Sequence, residues 1–207
     1  MGQVWTSAKT MATYNQAGNK AAAVASPLRL GATPLAWYRL DDGVMGGQSC
    51  TRHDVVDGAG LRFAGTLDTR GGGFASVRAD FEGGLPESTT ALRVRYKGDG
   101  KTYKVLLGNG QAGGPWSPHP SWQHDLPTTA GAEAVATLRF SAFKPSFGGA
   151  PSKRAAVGLA LVPGEMRQVG CMLSLLLSDG SPNPEGTFVA AGAAADFALE
   201  VLELEAV

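Results

Sequence analysis

The stretch that decides the fold reads Leu92-Arg93-Val94-Arg95-Tyr96-Lys97-Gly98-Asp99-Gly100-Lys101-Thr102-Tyr103-Lys104-Val105-Leu106-Leu107. Leu92, Val94 and Tyr96 alternate with Arg93, Arg95 and Lys97, the period-two pattern of a half-buried strand. A second apolar run begins at Tyr103. Asp-Gly between two such runs signals a hairpin, because a type I′ turn needs positive φ at both central residues. A two-residue loop sets Tyr96 opposite Tyr103 and Arg95 opposite Lys104. One face of the pair then carries Arg93, Arg95, Lys97 and Lys104. Like charges opposed across strands are unfavourable. The row therefore predicts one of two things. Either it is a solvated face with Asp41, Asp42 or Glu82 as counter-charges, or it is a cationic face that captures an acidic partner.

Working outward, the same periodicity recurs on both sides. Leu61, Phe63, Gly65 and Leu67 alternate with Arg62, Ala64 and Thr66, and Phe74–Phe81 follows the Gly71-Gly72-Gly73 turn. Ala134–Phe140 is a further strand. Val169–Leu177 is apolar on both faces, as a central strand covered on both sides is. Phe197–Leu204 is the closing strand, with a short helix as the alternative. With 29 Gly and 12 Pro in 207 residues, about a fifth of the chain breaks helices, against a usual ~12%. Short strands, Gly/Pro turns and no βαβ alternation predict an all-β sandwich or jelly roll. The dense patterning begins at Trp37, so the expected domain is residues 37–207, preceded by an irregular arm at 1–36. That arm is rich in Ala, Ser and Thr, and carries Lys9, Lys20 and Arg29 with no acidic residue before Asp41, in the manner of an organelle transit segment or a partner-wrapped tail. Its first residues also fit the loose N-myristoylation pattern at Gly2.

Composition excludes several functions. Lys+Arg and Asp+Glu are both 18, so the basic excess of a general nucleic-acid binder is missing. No run of eighteen or more apolar residues exists to span a bilayer as a helix. Two cysteines, Cys50 and Cys171, are too few for a disulfide scaffold; a single bridge or two separate thiols are both open. Gly108-Asn109-Gly110-Gln111-Ala112-Gly113 matches G-x-G-x-x-G after a strand, but Pro115, Pro118 and Pro120 forbid the helix a dinucleotide site needs. His53, His119 and His124 are scattered, and Asp41, Asp42 and Asp99 lack the dense oxygen spacing of a calcium loop. No nucleophile and base form a unit, so neither catalysis nor a cofactor is expected. Trp116 and Trp122, in a Gly/Pro-rich stretch, are interface anchors if exposed or caps of the barrel end if folded back. Trp5, Met11 and Tyr14 of the arm are further docking candidates.

The segment Trp37-Tyr38-Arg39-Leu40-Asp41-Asp42-Gly43-Val44-Met45-Gly46-Gly47-Gln48-Ser49 resembles the hallmark of the complex I intermediate-associated protein 30 family, a Trp followed by (Asn/Asp)-Asp-x-Val-Met-Gly-Gly-x-Ser. Phe63-x-Gly65-x-Leu67, Gly72-Gly73-Phe74-Ala75-Ser76-Val77-Arg78, the Gly98–Lys104 run, Phe140–Phe147 and Val169–Leu173 resemble later motifs of that family in the same order. The resemblance covers about residues 37–204. It departs in the Gly/Pro-rich insert Gly108–Pro120 and the Ala190–Ala195 tract. It implies a galactose-binding-like jelly roll that acts without catalysis. Its function would be as an assembly factor or accessory subunit of a membrane electron-transfer complex, in a mitochondrion or plastid, peripheral to the membrane. A carbohydrate- or small-ligand-binding module is the alternative. Within the hallmark, Gly43, Gly46 and Gly47 allow close backbone approach, and Asp41 and Asp42 can fix the loop by accepting N–H bonds. Trp37 is a core anchor. Asp41, Asp42, Met45, Gly46, Gly47, Ser49 and Arg78 are structural or partner-facing; Arg78 either pairs with Asp42 or meets a partner.

Overall fold

The alternating runs become strands of two antiparallel sheets. The structure, a computed structural model, describes residues 24–30, 33–56, 60–110, 119–147, 150–151, 159–184 and 194–207. In chain order the strands are β1 (Val24–Leu30), β2 (Thr33–Arg39), β3 (Cys50–Val56), β4 (Gly60–Asp68), β5 (Phe74–Asp80), β6 (Ala91–Lys97), β7 (Thr102–Gly108), β8 (Ser121–Pro127), β9 (Glu133–Arg139), β10 (Lys144–Phe147), β11 (Ala150–Pro151), β12 (Gln168–Ser174) and β13 (Ala194–Ala206). Eight of them form one sheet in the order β1-β2-β5-β12-β7-β8-β10-β11, and five form the other in the order β3-β4-β13-β6-β9. Among the described residues there is no α-helix, only short 3₁₀ turns. This is the all-β sandwich that the periodicity predicts.

The core lies between the sheets. The five-stranded sheet contributes Phe63, Leu67, Leu92, Val94, Phe197 and Leu199, and the eight-stranded sheet Leu35, Trp37, Val77, Tyr103, Val105 and Leu173. Phe63, Phe197 and Tyr103 meet across the gap with ring centroids 4.8 to 6.5 Å apart, the tilted and edge-on contacts that aromatic quadrupoles favour. β12 is the doubly covered central strand expected from its apolar run, lying between β5 and β7 with Cys171 opposite both Val77 and Val105. β13 is the closing strand and not a helix. Cys50 and Cys171 are separate thiols.

Two expectations need correction. First, β6 and β7 are not a hairpin. The ladder edges of β6 are taken by β13 and β9, and those of β7 by β12 and β8. The chain crosses from one sheet to the other at Asp99-Gly100. Asp99 holds the crossing by accepting from the Tyr103 hydroxyl at 3.0 Å, Lys101 Nζ at 2.8 Å and the Ala198 amide at 2.9 Å. Burial pushes its carboxyl up, but these bonds, led by Lys101, leave it below the usual range. Tyr96 and Tyr103 therefore face the same core from opposite sheets. Alternation alone does not distinguish the two arrangements, because a strand beside or a strand across buries the same face. Second, the sheet extends upstream of Trp37. Residues 24–30 and 33–36, assigned to the arm, pair as β1 and β2, with Ala36 opposite Asp80 of β5. The rest of the expected arm, with Gly2, Trp5, Met11 and Tyr14, lies outside the described residues.

Candidate functional site

The hallmark residues form a carboxylate clasp between elements far apart in sequence. β2 ends at Arg39, and a 3₁₀ turn over Asp42–Met45 closes on Gly46, whose φ of 94° is left-handed. The Asp42 carboxylate, fully buried, accepts from Ser49 N–H at 3.0 Å, Ser49 Oγ–H at 2.7 Å, Gly73 N–H at 2.7 Å and Phe74 N–H at 3.3 Å. Asp41 accepts from the Thr51 amide at 2.9 Å, the Thr51 hydroxyl and the Ser76 amide at 3.2 Å. Burial raises the Asp41 carboxyl, and these bonds only partly offset it. Ser49 Oγ in turn receives the Asp68 amide at 3.0 Å. Asp68 grips Arg70, which lowers its carboxyl to about 2.

Gly47 of the hallmark and Gly72 of the later motif follow from this packing. A Cβ on Gly47 would stand 2.3 Å from Asp42 Cγ, and one on Gly72 would stand 2.2 Å from Asp42 Oδ2. The clasp ties the end of β2 to the start of β3 and to the β4–β5 link. Trp37 sits in the core as expected, and Met45 stays 67% exposed. Arg78 does not pair with Asp42, whose oxygens are taken up by Ser49, Gly73 and Phe74.

The cationic row is also rearranged. Lys104 is on the other sheet, 2% exposed, its Nζ donating to Gln123 Oε1 at 3.0 Å. Arg93, Arg95 and Lys97 do share the outer face of the five-stranded sheet, but carboxylates alternate with them. Arg93 pairs with Glu205, and Arg95 with Glu133 at 2.8 Å and Glu203 at 2.9 Å. Lys97 stands in register between Glu200 and Glu133. The counter-charges come from β9 and β13, not from Asp41, Asp42 or Glu82, because once β6 leaves β7 its neighbours are those strands. Trp122 is 6% exposed and packs in the core, so it is not a surface anchor: its register partner Leu107 faces inward. Trp116 lies outside the described residues.

A second polar layer, largely buried, lies on the outer face of the eight-stranded sheet. Register aligns Tyr38, Arg78, Gly170, Leu106, Gln123 and Lys144 in one row across β2, β5, β12, β7, β8 and β10. Ser76, Met172, Lys104 and Asp125 form the next row. Asp80 accepts from the Tyr38 hydroxyl at 3.2 Å and Gln168 Nε2 at 2.9 Å, and Asp125 from the Ser178 amide at 2.9 Å and hydroxyl at 2.6 Å. Burial lowers Lys104 to about 8, with Asp125 and Asp179 opposing the shift. Burial also lowers Arg78, to about 10. Sequence reading missed this face, although the signal was present: Ser76, Arg78 and Asp80 recur at every second position of β5.

Among the described residues no group of three or more His, Cys, Asp or Glu could hold a metal ion, and no helix is long and apolar enough to cross a membrane. The architecture defines the class: a jelly-roll β-sandwich. A family 11 carbohydrate-binding module of the cellulosomal cellulase Lic26A-Cel5E of Clostridium thermocellum is similar in fold, with a TM-score of 0.51 at 11% identity over 89% of this chain and 96% of that one. The family 11 module of the same organism in complex with a β-1,3-1,4-mixed-linked tetrasaccharide gives 0.49 at 12% identity over 82% and 88%. At 11% identity the likeness to the first is one of fold. No curated protein matches in sequence. The chain belongs to the Complex I intermediate-associated protein 30 (CIA30) family, whose sequence pattern matches residues 29–201. The match begins upstream of Trp37, within β1, and takes in the clasp and both sheets.

Proposed function

We propose that this chain is a non-catalytic docking protein: an assembly factor or accessory subunit of a membrane electron-transfer complex, respiratory complex I or a photosynthetic complex. The observation that carries this is family membership over residues 29–201. The clasp is compatible with it, since the hallmark carboxylates are used to hold backbone amides and so to fix the fold. The protein acts from an organelle, mitochondrion or plastid, at the membrane periphery. Its docking candidate is the outer face of the five-stranded sheet, where Arg93, Arg95 and Lys97 alternate with carboxylates around the exposed Val135. Alternating charge of this kind sets orientation and encounter rate more than affinity. Met45, beside the clasp, is a second contact candidate.

The test is native electrophoresis of gently solubilised organelle membranes with a tagged chain, alongside a deletion strain. The expected result is co-migration with a complex or its precursor, and a reduced amount of mature complex without the chain. A chain that migrates only as a free monomer, with the complex undiminished in its absence, overturns the reading. Fixed stoichiometry in the mature, active complex makes it a resident subunit; loss on maturation makes it an assembly factor. A glycan-binding module is the second reading. It needs an exposed ring platform, but Tyr38 of the polar face is 2% exposed and Phe74 at its margin is half-buried. Specific capture on a glycan array would favour it.

A further inference from the structure

Two buried cations lie on the outer face of the eight-stranded sheet. Lys104 has Asp125 and Asp179 close by. Among the described residues Arg78 has no carboxylate partner, and the titratable groups that act on it are Tyr38 and Cys171. Burial holds the Cys171 thiol up at about 12, so it is uncharged at neutral pH. Arg78 is only 8% exposed, and its Nε has no hydrogen-bond partner among the described residues. Asp80, two residues along the same strand, is engaged by Tyr38 and Gln168 instead.

The path of the side chain is built for it. Gly170 stands directly opposite Arg78 in the ladder. A Cβ there would come within 2.5 Å of Arg78 Cδ and 3.3 Å of Nε. The Arg78 side chain therefore lies over β12 in the space that position 170 leaves open by having no side chain. A buried charge without a partner is destabilising, yet the fold makes room for one in the middle of a sheet face. A planar fork of N–H donors matches an oxyanion in two-point geometry.

We propose that Arg78 anchors an oxyanion-bearing ligand, a carboxylate or a phosphate, on the outer face of the eight-stranded sheet. Tyr38 flanks the site on β2, and Leu106 and Gln123 continue its row on β7 and β8. The site stands on observations separate from those behind the docking function and survives if that reading fails.

The experiment is NMR of the arginine Nε–H signals in the ¹⁵N-labelled full chain, with Arg78→Met assigning the Arg78 signal. One arm is titrated with inorganic phosphate and another with acetate, with sodium chloride at equal ionic strength as reference. The expected result is a saturable shift of the Arg78 signal in one arm, and the arm that saturates identifies the ligand chemistry. Thermal midpoints of the wild type rise with the logarithm of that anion's concentration, and the rise is lost in Arg78→Met. Without anion, Arg78→Met melts no lower than wild type, because it removes an unanswered charge. A shift that sodium chloride reproduces, no saturation in either arm, or a stabilisation retained by Arg78→Met overturns the proposal. If Arg78→Met fails to fold, Arg78→Lys assigns the signal and the titrations of the wild type still decide.

Discussion

Replacing Asp42 by Asn keeps the shape of the side chain and removes its charge. The carboxylate accepts four hydrogen bonds in a site closed to solvent, the Ser49 amide on Oδ1 and the Ser49 hydroxyl, Gly73 amide and Phe74 amide on Oδ2. An amide has one acceptor oxygen. In either orientation its NH₂ group faces at least one buried N–H donor. Lost charge assistance plus one or two unpaired donors amounts to roughly 3–5 kcal/mol, a large share of the ~5–15 kcal/mol by which domains are stable. For a chain of this size that is about 10–15 °C in melting midpoint. The assay is urea and thermal unfolding followed by tryptophan fluorescence and circular dichroism. A second perturbation checks the mechanism. Gly47→Ala places a Cβ 2.3 Å from Asp42 Cγ, an overpacking cost of roughly 1–3 kcal/mol. In an Asp42→Ala background that obstacle is gone, so the two changes couple by more than about 1 kcal/mol in a double-mutant cycle. An Asp42→Asn protein within about 1 kcal/mol of wild type, or a Gly47→Ala penalty unchanged beside Asp42→Ala, refutes the clasp.

Lys104, lowered by burial from 10.5 to about 8, holds its proton less tightly folded than unfolded. Stability therefore rises with pH across that window, by on the order of 2–3 kcal/mol relative to Lys104→Met; parallel urea-unfolding curves for the two proteins would sink this. Asp68, lowered from 3.8 to about 2 by Arg70, stabilises the fold above the unfolded value and loses that contribution as pH falls through the folded one. The advantage of wild type over Asp68→Asn therefore closes between those two pH values in acid-unfolding titrations, and a constant gap contradicts it. Trp122→Ala empties a core position and costs about 3–5 kcal/mol. A variant as stable as wild type in the same unfolding assay would place the indole outside the core.

Much of the site was legible in outline. Paired aspartates among glycines announced a loop held by carboxylates, and Asp41 and Asp42 do accept backbone amides. What they hold was not legible, because Thr51, Gly73, Phe74 and Ser76 are 10 to 35 positions away along the chain. The sequence offers Arg78 as a partner for Asp42. The alternation of β5 sends it to the outer face instead, while the clasp saturates Asp42 with amides. Trp122 shows the same limit. Its Pro-rich surroundings suggested a loop, but pairing with β7 turns the indole inward.

The sequence by itself determined the class of fold and which residues of each strand share a face, since period-two alternation and Gly/Pro punctuation are local properties of the chain. Tertiary structure alone decided which strands are neighbours. Every strand offers the same row of N–H and C=O groups at its edges, so pairing depends on the whole set of strands competing for those edges. That competition sent β6 and β7 to opposite sheets. It laid Glu133, Glu203 and Glu205 beside Arg93 and Arg95, and left Arg78 as a buried cation on the other sheet with no carboxylate partner among the described residues.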